Sequence, residues 1–301
     1  MSHKLTKEVW HTLACPYCSE ALEAVRDSVH CSGCDAVYHY SAGGPLDLRL
    51  PRPRTYSGEF RIGVSSAPEY TFPYTQLTTN EAPEVNYDQV STPRHLSKQI
   101  LSYFPKARSG VSLALDIGCG TAIHKEVCEK AGFTYVGLDY NCDEASILGD
   151  AHALPFKDGS FDFLLSIAAL EHMRYPHIMM KEAYRVLKPG GRFVGTVSFL
   201  EPFHDYSYYH HSHLGLFNSL HSGGFEVERI SPNDNWSVLF AQAKMILFPN
   251  MPSNLARTLV LPVHVLHRLW WLLGGKLKRK DVELKRQLST AGAFTFIALR
   301  N

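Results

Sequence analysis

Nowhere in the 301-residue chain is there an uninterrupted apolar run of the roughly 20 residues that a helical membrane crossing needs. The opening Met-Ser-His-Lys-Leu-Thr-Lys-Glu also lacks the apolar segment of a secretion signal. Charge of one sign is equally scarce: 30 basic residues meet 29 acidic ones, for a net charge of +1. No global field therefore draws the chain to nucleic acid or anionic lipid. There is no repeat of solenoid length. With 45% hydrophobic residues the chain can bury a large core. A cytoplasmic, reducing setting is expected, in which the seven cysteines read as ligands or thiols before disulfides.

What is present centres on Leu113-Ala-Leu-Asp-Ile-Gly-Cys-Gly-Thr121. The apolar run predicts a buried parallel strand, and Gly118 and Gly120 a tight turn that lets a ligand lie close. A second strand, Phe133-Thr-Tyr-Val-Gly-Leu-Asp139, ends in a carboxylate. A glycine turn after one strand and an acid at the tip of the next is the layout that seats an adenosine, the acid accepting from ribose hydroxyls. A dinucleotide fingerprint would need a third glycine, but Ile123 stands there. Asp116 would repel a phosphate and suits a ligand bearing an ammonium and a sulfonium.

From here the chain resembles the class I S-adenosylmethionine-dependent methyltransferases. Further signposts follow in order: Gly149-Asp150-Ala151-His-Ala-Leu-Pro155-Phe156, Phe161-Asp-Phe-Leu-Leu-Ser166, Leu170-Glu171-His172 and Leu187-Lys-Pro-Gly-Gly-Arg-Phe193. The resemblance covers roughly residues 86–235 and returns at Gly292–Leu299. It implies a Rossmann-like α/β sheet of seven strands, the last antiparallel. It implies S-adenosylmethionine held near Asp116, Gly118, Gly120, Asp139, Tyr140, Asp150, Ala151 and Ser166, with Tyr140, Asp150 and Ala151 beside the adenine. Asp150 has a second reading as a helix cap.

Ahead of this, Cys15-Pro-Tyr-Cys18 and Cys31-Ser-Gly-Cys34 have the spacing of a zinc ribbon, two tight turns supplying four thiolates. With all four positions filled, a Zn(2+) ion there is structural, and a segment this short would take most of its folding energy from the metal. The stretch is similar to the ribbon preceding bacterial rRNA guanine methyltransferase domains and to free-standing methyltransferase-activator ribbons. The expected organisation is a ribbon over 1–50, a linker or strap over 51–85, and a methyltransferase domain over 86–301. The strap is too aromatic for a solvated tether, with Tyr56, Phe60, Tyr70, Phe72 and Tyr74.

Before the last strand lies an insertion, about 236–290. Leu255, Leu259, Val263, Leu266, Trp270 and Leu273 share one helical face, Pro262 predicts a kink, and Lys276-Leu-Lys-Arg-Lys280 follows Gly274-Gly275. A face so wide is expected to bury against its own domain as a helical cap. The alternative is a peripheral membrane or lipid-linked contact.

Five of the sixteen histidines lie between 204 and 221, on a segment leaving the fifth strand. Methyl transfer to an alcohol needs a base, and His172, His204 and His211, with Asp205, are the candidates. The leading expectation is O-methylation of a small molecule, glycan or lipid-linked precursor. The alternative is an rRNA or tRNA base methyltransferase, against which the balanced charge argues. A non-catalytic scaffold is a third reading, opposed by the intact glycine turn and Asp139.

Overall fold

A computed structural model describes residues 5–58, 74–108, 110–233, 236–276 and 282–301. Its eleven strands, in chain order, are β1 (Leu22–Val25), β2 (Ser28–Cys31), β3 (Val37–Tyr40), β4 (Leu46–Asp47), β5 (Leu113–Ile117), β6 (Thr134–Asp139), β7 (Ile147–Leu148), β8 (Phe161–Ile167), β9 (Leu187–Ser198), β10 (Glu226–Pro232) and β11 (Ala293–Leu299). They form one sheet in the order β1-β2-β3-β4-β7-β6-β5-β8-β9-β11-β10. The seven strands from β7 to β10 are the expected α/β sheet. Strands β7, β6, β5, β8 and β9 run parallel, and β11 enters antiparallel between β9 and β10.

The central strands are apolar on both faces because helices and loops cover both. Leu113, Leu115 and Ile117 pack into one core with Phe156, Phe161, Phe193 and Phe294. Ala114, Phe163, Leu165 and Ile297 face a second core that holds Ile100, Phe104 and Phe133.

The ribbon is not suspended on a tether. Strand β4 pairs in parallel with β7, Leu46 opposite Ile147 and Asp47 opposite Leu148. The Leu48 amide donates to the Leu148 carbonyl at 2.8 Å. Val29, Tyr38, Leu46 and Leu48 are buried in the same core as Leu115 and Leu138. Beyond what a metal would supply, the segment is therefore held by apolar residues that join a core built mostly by the rest of the chain.

The segment with apolar positions 96, 100, 101 and 104 forms one turn, α2 (Lys98–Leu101), capped by the Ser97 hydroxyl, after which Phe104 still buries. The crossover helix after the glycine turn is α3 (Lys125–Lys130), and α4 (Pro176–Val186) and α5 (His213–Gly223) follow β8 and β9. Lys188-Pro-Gly-Gly191 is not a bare helix stop: it is the first part of β9, tolerated where the β8–β9 register slips between Phe161 and Phe163.

The insertion contains α6 (Val238–Gln242), a π turn over Ala243–Leu247, the long α7 (Ser253–Lys276) and α8 (Val282–Thr290). Helix α7 continues through Pro262, where a kink was expected, and past Gly274. Its inward side is narrow: Ala256 is buried, and Val260, His264, His267 and Trp271 are half-buried. The face expected to cap the domain points outward instead, with Leu255, Leu259, Val263, Leu266, Trp270 and Leu273 all exposed. No helix among the described residues is long and apolar enough to cross a membrane. Phe60, Tyr70 and Phe72 of the expected strap lie outside the described residues.

Candidate active site

The C-terminal tips of β5, β6 and β8 open into a cleft of about 1170 Å³. Open α/β sheets place ligands at this end of their strands. One wall is the glycine turn. Gly118 has φ +75° and Gly120 φ +51°, and a Cβ on Gly118 would meet the Ala169 Cβ at 2.6 Å, whereas at Gly120 the space is open. Asp139 fixes that turn: one carboxylate oxygen accepts the Gly120 amide at 3.0 Å, and the other accepts the Asn141 and Cys142 amides. Asp139 also borders the cleft.

Tyr140, Asp150 and Ala151 line the same wall. Arg49 from the ribbon lies over the Tyr140 ring, 5.5 Å from its centroid. Asp150 borders the cleft and closes a turn, with no helix after it to cap. One oxygen accepts the His152 amide at 2.9 Å and the His152 ring Nδ1 at 2.6 Å, closing a turn while the side chain borders the cleft. Burial opposes its charge, but the His152 bonds outweigh it and hold the carboxyl below its ordinary value.

His172, Arg174, Asp205 and Tyr208 line the same cleft. Two ties hold the loop that bears Asp205. Tyr208 and Tyr209 amides donate to the Glu171 carbonyl at 2.7 and 3.2 Å, and Arg174 donates to the Tyr208 hydroxyl at 3.3 Å. Asp205 and Tyr206 have φ +40° and +58°, a conformation that non-glycine residues adopt only under constraint. Burial, then the nearby His204, lowers the His172 pKa. His204 packs edge-on against His172, ring centroids 5.4 Å apart, without lining the cleft, and its Nδ1 contacts the Pro202 carbonyl. Behind them Glu171 is fully buried; one carboxylate oxygen accepts the Ser198 hydroxyl at 2.5 Å and the other has no partner. Burial raises its pKa. Glu171, His172 and His204 each bring a potential ligand atom within 4.8 Å of the others.

Besides His204, three expected site residues stand outside the cleft lining. Asp116 is fully buried beneath the turn, where one oxygen accepts from His124 and Tyr135 at 3.0 and 2.9 Å. Ser166 is buried on β8 outside the cleft lining. His211 is buried with its amide donating to the Ser198 carbonyl, and it does not border the cleft. A strand tip is recognisable from sequence, but the depth of a side chain beneath it is not. Conversely, His152, Ala168 and Arg54 border the cleft without having been named for it, and so does Tyr56 of the expected strap. For His152 the signal was available, since it adjoins Asp150 in a quoted signpost.

At the far end of the ribbon all four cysteine sulfurs lie within 4.8 Å of one another, with Cys15–Cys34 at 3.9 Å and Cys18–Cys31 at 3.3 Å. Sulfurs on a tetrahedral Zn(2+) stand about 3.7 Å apart, so the set fits such an ion. Burial raises the Cys15 pKa, but the Tyr38 hydroxyl at 3.2 Å and the Cys18 and Tyr17 amides prevail and bring it down to about 7.

The parallel sheet, glycine turn and terminal acid make a Rossmann-like fold of the kind that class I S-adenosylmethionine-dependent methyltransferases have. Residues 115–195 match the family described as Methyltransferase domain. The chain is similar to the demethylmenaquinone methyltransferase of Renibacterium salmoninarum, 36% identical over 91 residues, covering 27% of this chain and 38% of the relative. It is similar to the sterol 24-C-methyltransferase of Schizosaccharomyces pombe, 35% identical over 100 residues, covering 27% and 26%. The chain thus spans well under half the length of these relatives. Among solved structures, Haemonchus contortus phosphoethanolamine N-methyltransferase 2 in complex with S-adenosyl-L-methionine superposes with a TM-score of 0.40 at 17% identity, over 64% of this chain and 50% of that one. That likeness is too loose to transfer residue roles.

Proposed function

We propose that the protein uses S-adenosylmethionine to methylate a hydroxyl of a small molecule, glycan or lipid-linked precursor. One observation carries this reading: a single cleft is lined by Gly118, Gly120 and Asp139 together with His172, Asp205 and Tyr208. The cofactor supplies a methyl group already activated on sulfur, so the chain's task is to align donor and acceptor. Asp139 accepts from the ribose hydroxyls, while Tyr140, Asp150 and Ala151 border the adenine. His172 takes the acceptor's proton as the O–CH₃ bond forms and the S–CH₃ bond breaks, leaving S-adenosylhomocysteine. Its lowered pKa keeps the ring neutral, and so able to accept, at neutral pH. The matched relatives, named for demethylmenaquinone and sterol methylation, agree with a small acceptor. The four-cysteine set is assigned to structural zinc, with no position left for water.

The test uses a panel of hydroxylated acceptors with S-adenosylhomocysteine release as readout. His172→Ala should lower turnover by about 10²–10⁴-fold with S-adenosylhomocysteine affinity nearly unchanged. Wild-type turnover should rise with pH, with its midpoint below the ordinary histidine value. Turnover within a few-fold of wild type would reject the histidine base. The buried, half-satisfied Glu171 beside His172 and His204 favours one second reading, a divalent ion shared by the three. In that case chelation, rather than acidification, abolishes turnover.

A further inference from the structure

Between Asn235 and Lys280 the chain has no acidic residue and seven basic ones, although its overall charge is only +1. Helix α7 fills most of that stretch. Among the described residues, every exposed leucine except Leu214 lies between Leu247 and Leu273. The exposure covers two adjoining stripes. Leu261, Val265, Leu269 and Leu272 form one, and Leu259, Val263, Leu266, Trp270 and Leu273 form the other. At 3.6 residues per turn the stripes together sweep an arc of roughly 200°. Trp270 is 77% exposed and Leu266 67%. The two arginines of the helix stand at the margin of its inner side, where Arg257 lies over the Phe240 ring and Arg268 approaches Glu283 at 3.7 Å, and Asn254 and Thr258 are the uncharged polar residues within the exposed arc.

We propose that this face is a docking surface for an anionic phospholipid bilayer, with α7 lying in the interface plane. Three observations select that occupant. A helix–helix seam uses a narrow stripe, whereas an arc this wide matches a fluid apolar medium into which the helix sinks lengthwise. From Leu255 to Leu273 the face is about 27 Å long, but no described helix is long and apolar enough to cross a membrane, so it rests on the bilayer rather than spanning it. The sequence leaving its C-terminal end, Lys276-Leu-Lys-Arg-Lys280, places four cations in five residues with no acid among them, the complement of an anionic headgroup layer. Trp270 is the kind of side chain that interfaces favour, having an apolar ring and one polar N–H. This inference is independent of the reaction and of the acceptor.

The full chain should float with vesicles of phosphatidylcholine and phosphatidylglycerol, and only weakly with phosphatidylcholine alone. Binding should fall with added salt, and tryptophan emission should shift to the blue on binding, with Trp270→Phe removing that shift. Reversing the basic run (Lys278→Glu, Arg279→Glu, Lys280→Glu) should weaken binding to the anionic vesicles by about 10²-fold. A second variant (Leu266→Ser, Trp270→Ser, Leu273→Ser) changes only exposed side chains. It should keep the wild-type circular dichroism and lose flotation. Equal binding to both vesicle types would overturn the proposal, as would no binding to either. So would a concentration-dependent dimer that this second variant abolishes while wild type fails to float, because the face would then belong to a second copy.

Discussion

His211 is valuable as a histidine that the fold protects from protons. It is buried and its pKa is pushed down to about 4, by burial first and then by His177 and His210. The unfolded chain binds that proton near the ordinary value of 6.5. Between these two values the unfolded state holds more protons, so stability is complete above about 6.5 and drains away as pH falls toward 4. At ~1.4 kcal/mol per unit the loss amounts to at most about 3 kcal/mol. Urea unfolding at neutral and mildly acidic pH should show this slope in wild type and a shallower one in His211→Gln. Parallel slopes in the two proteins would mean that His211 is already accessible to protons in the folded state.

At the scale of elements, the decisive contact is two residues long. Pairing of β4 with β7 ties the cysteine ribbon to the strand that leads straight into Gly149 and Asp150. Cys15→Ser should release the metal and weaken the ribbon by several kcal/mol, since a structural zinc couples its binding to folding. Its effect should also cross the β4–β7 pair. Hydrogen exchange should quicken at the Leu48 amide, which donates to Leu148, as well as inside the ribbon. Metal-free purified protein, or exchange unchanged at Leu48, would contradict the linkage.

Elements also show what a sequence makes legible. Strands β5, β6 and β8 could be read from it because each is a short apolar run ending at a turn or an acid, and the cleft follows from where such strands end. The direction in which α7 faces could not. Spacing such as 255, 259, 263, 266, 270 and 273 says that a face is apolar, and is silent on whether its partner is the same chain. Nor could it show that β4 would find β7, since a two-residue strand has no periodicity to recognise. Ser166 and Asp116 sit on strands that were read correctly, but alternation about a pleat sends such side chains beneath the site, and that depends on helices packing from both sides.

Across the whole molecule, ribbon and sheet share one apolar core, in which Leu46 and Leu48 join Leu115, Leu138 and Ile147. Unfolding should therefore be a single cooperative event. Calorimetry of the zinc-loaded protein should give one transition, with far-ultraviolet circular dichroism and tryptophan fluorescence superimposing on it. Two separated transitions would show that the ribbon melts as an independent unit.

The position of β11 has a consequence in time as well as space. It lies between β9 and β10, yet the chain reaches it only after the whole insertion has been made. At a synthesis rate of about 5–20 residues per second, Pro232 precedes Ala293 by roughly 3–12 s. During that interval β9 has an open edge and β10 has no partner in the sheet, while the leucine-rich α7 emerges beside them. The nascent protein is therefore most vulnerable to mispairing just before its last strand arrives, and a chaperone that holds apolar segments would act on it in that window.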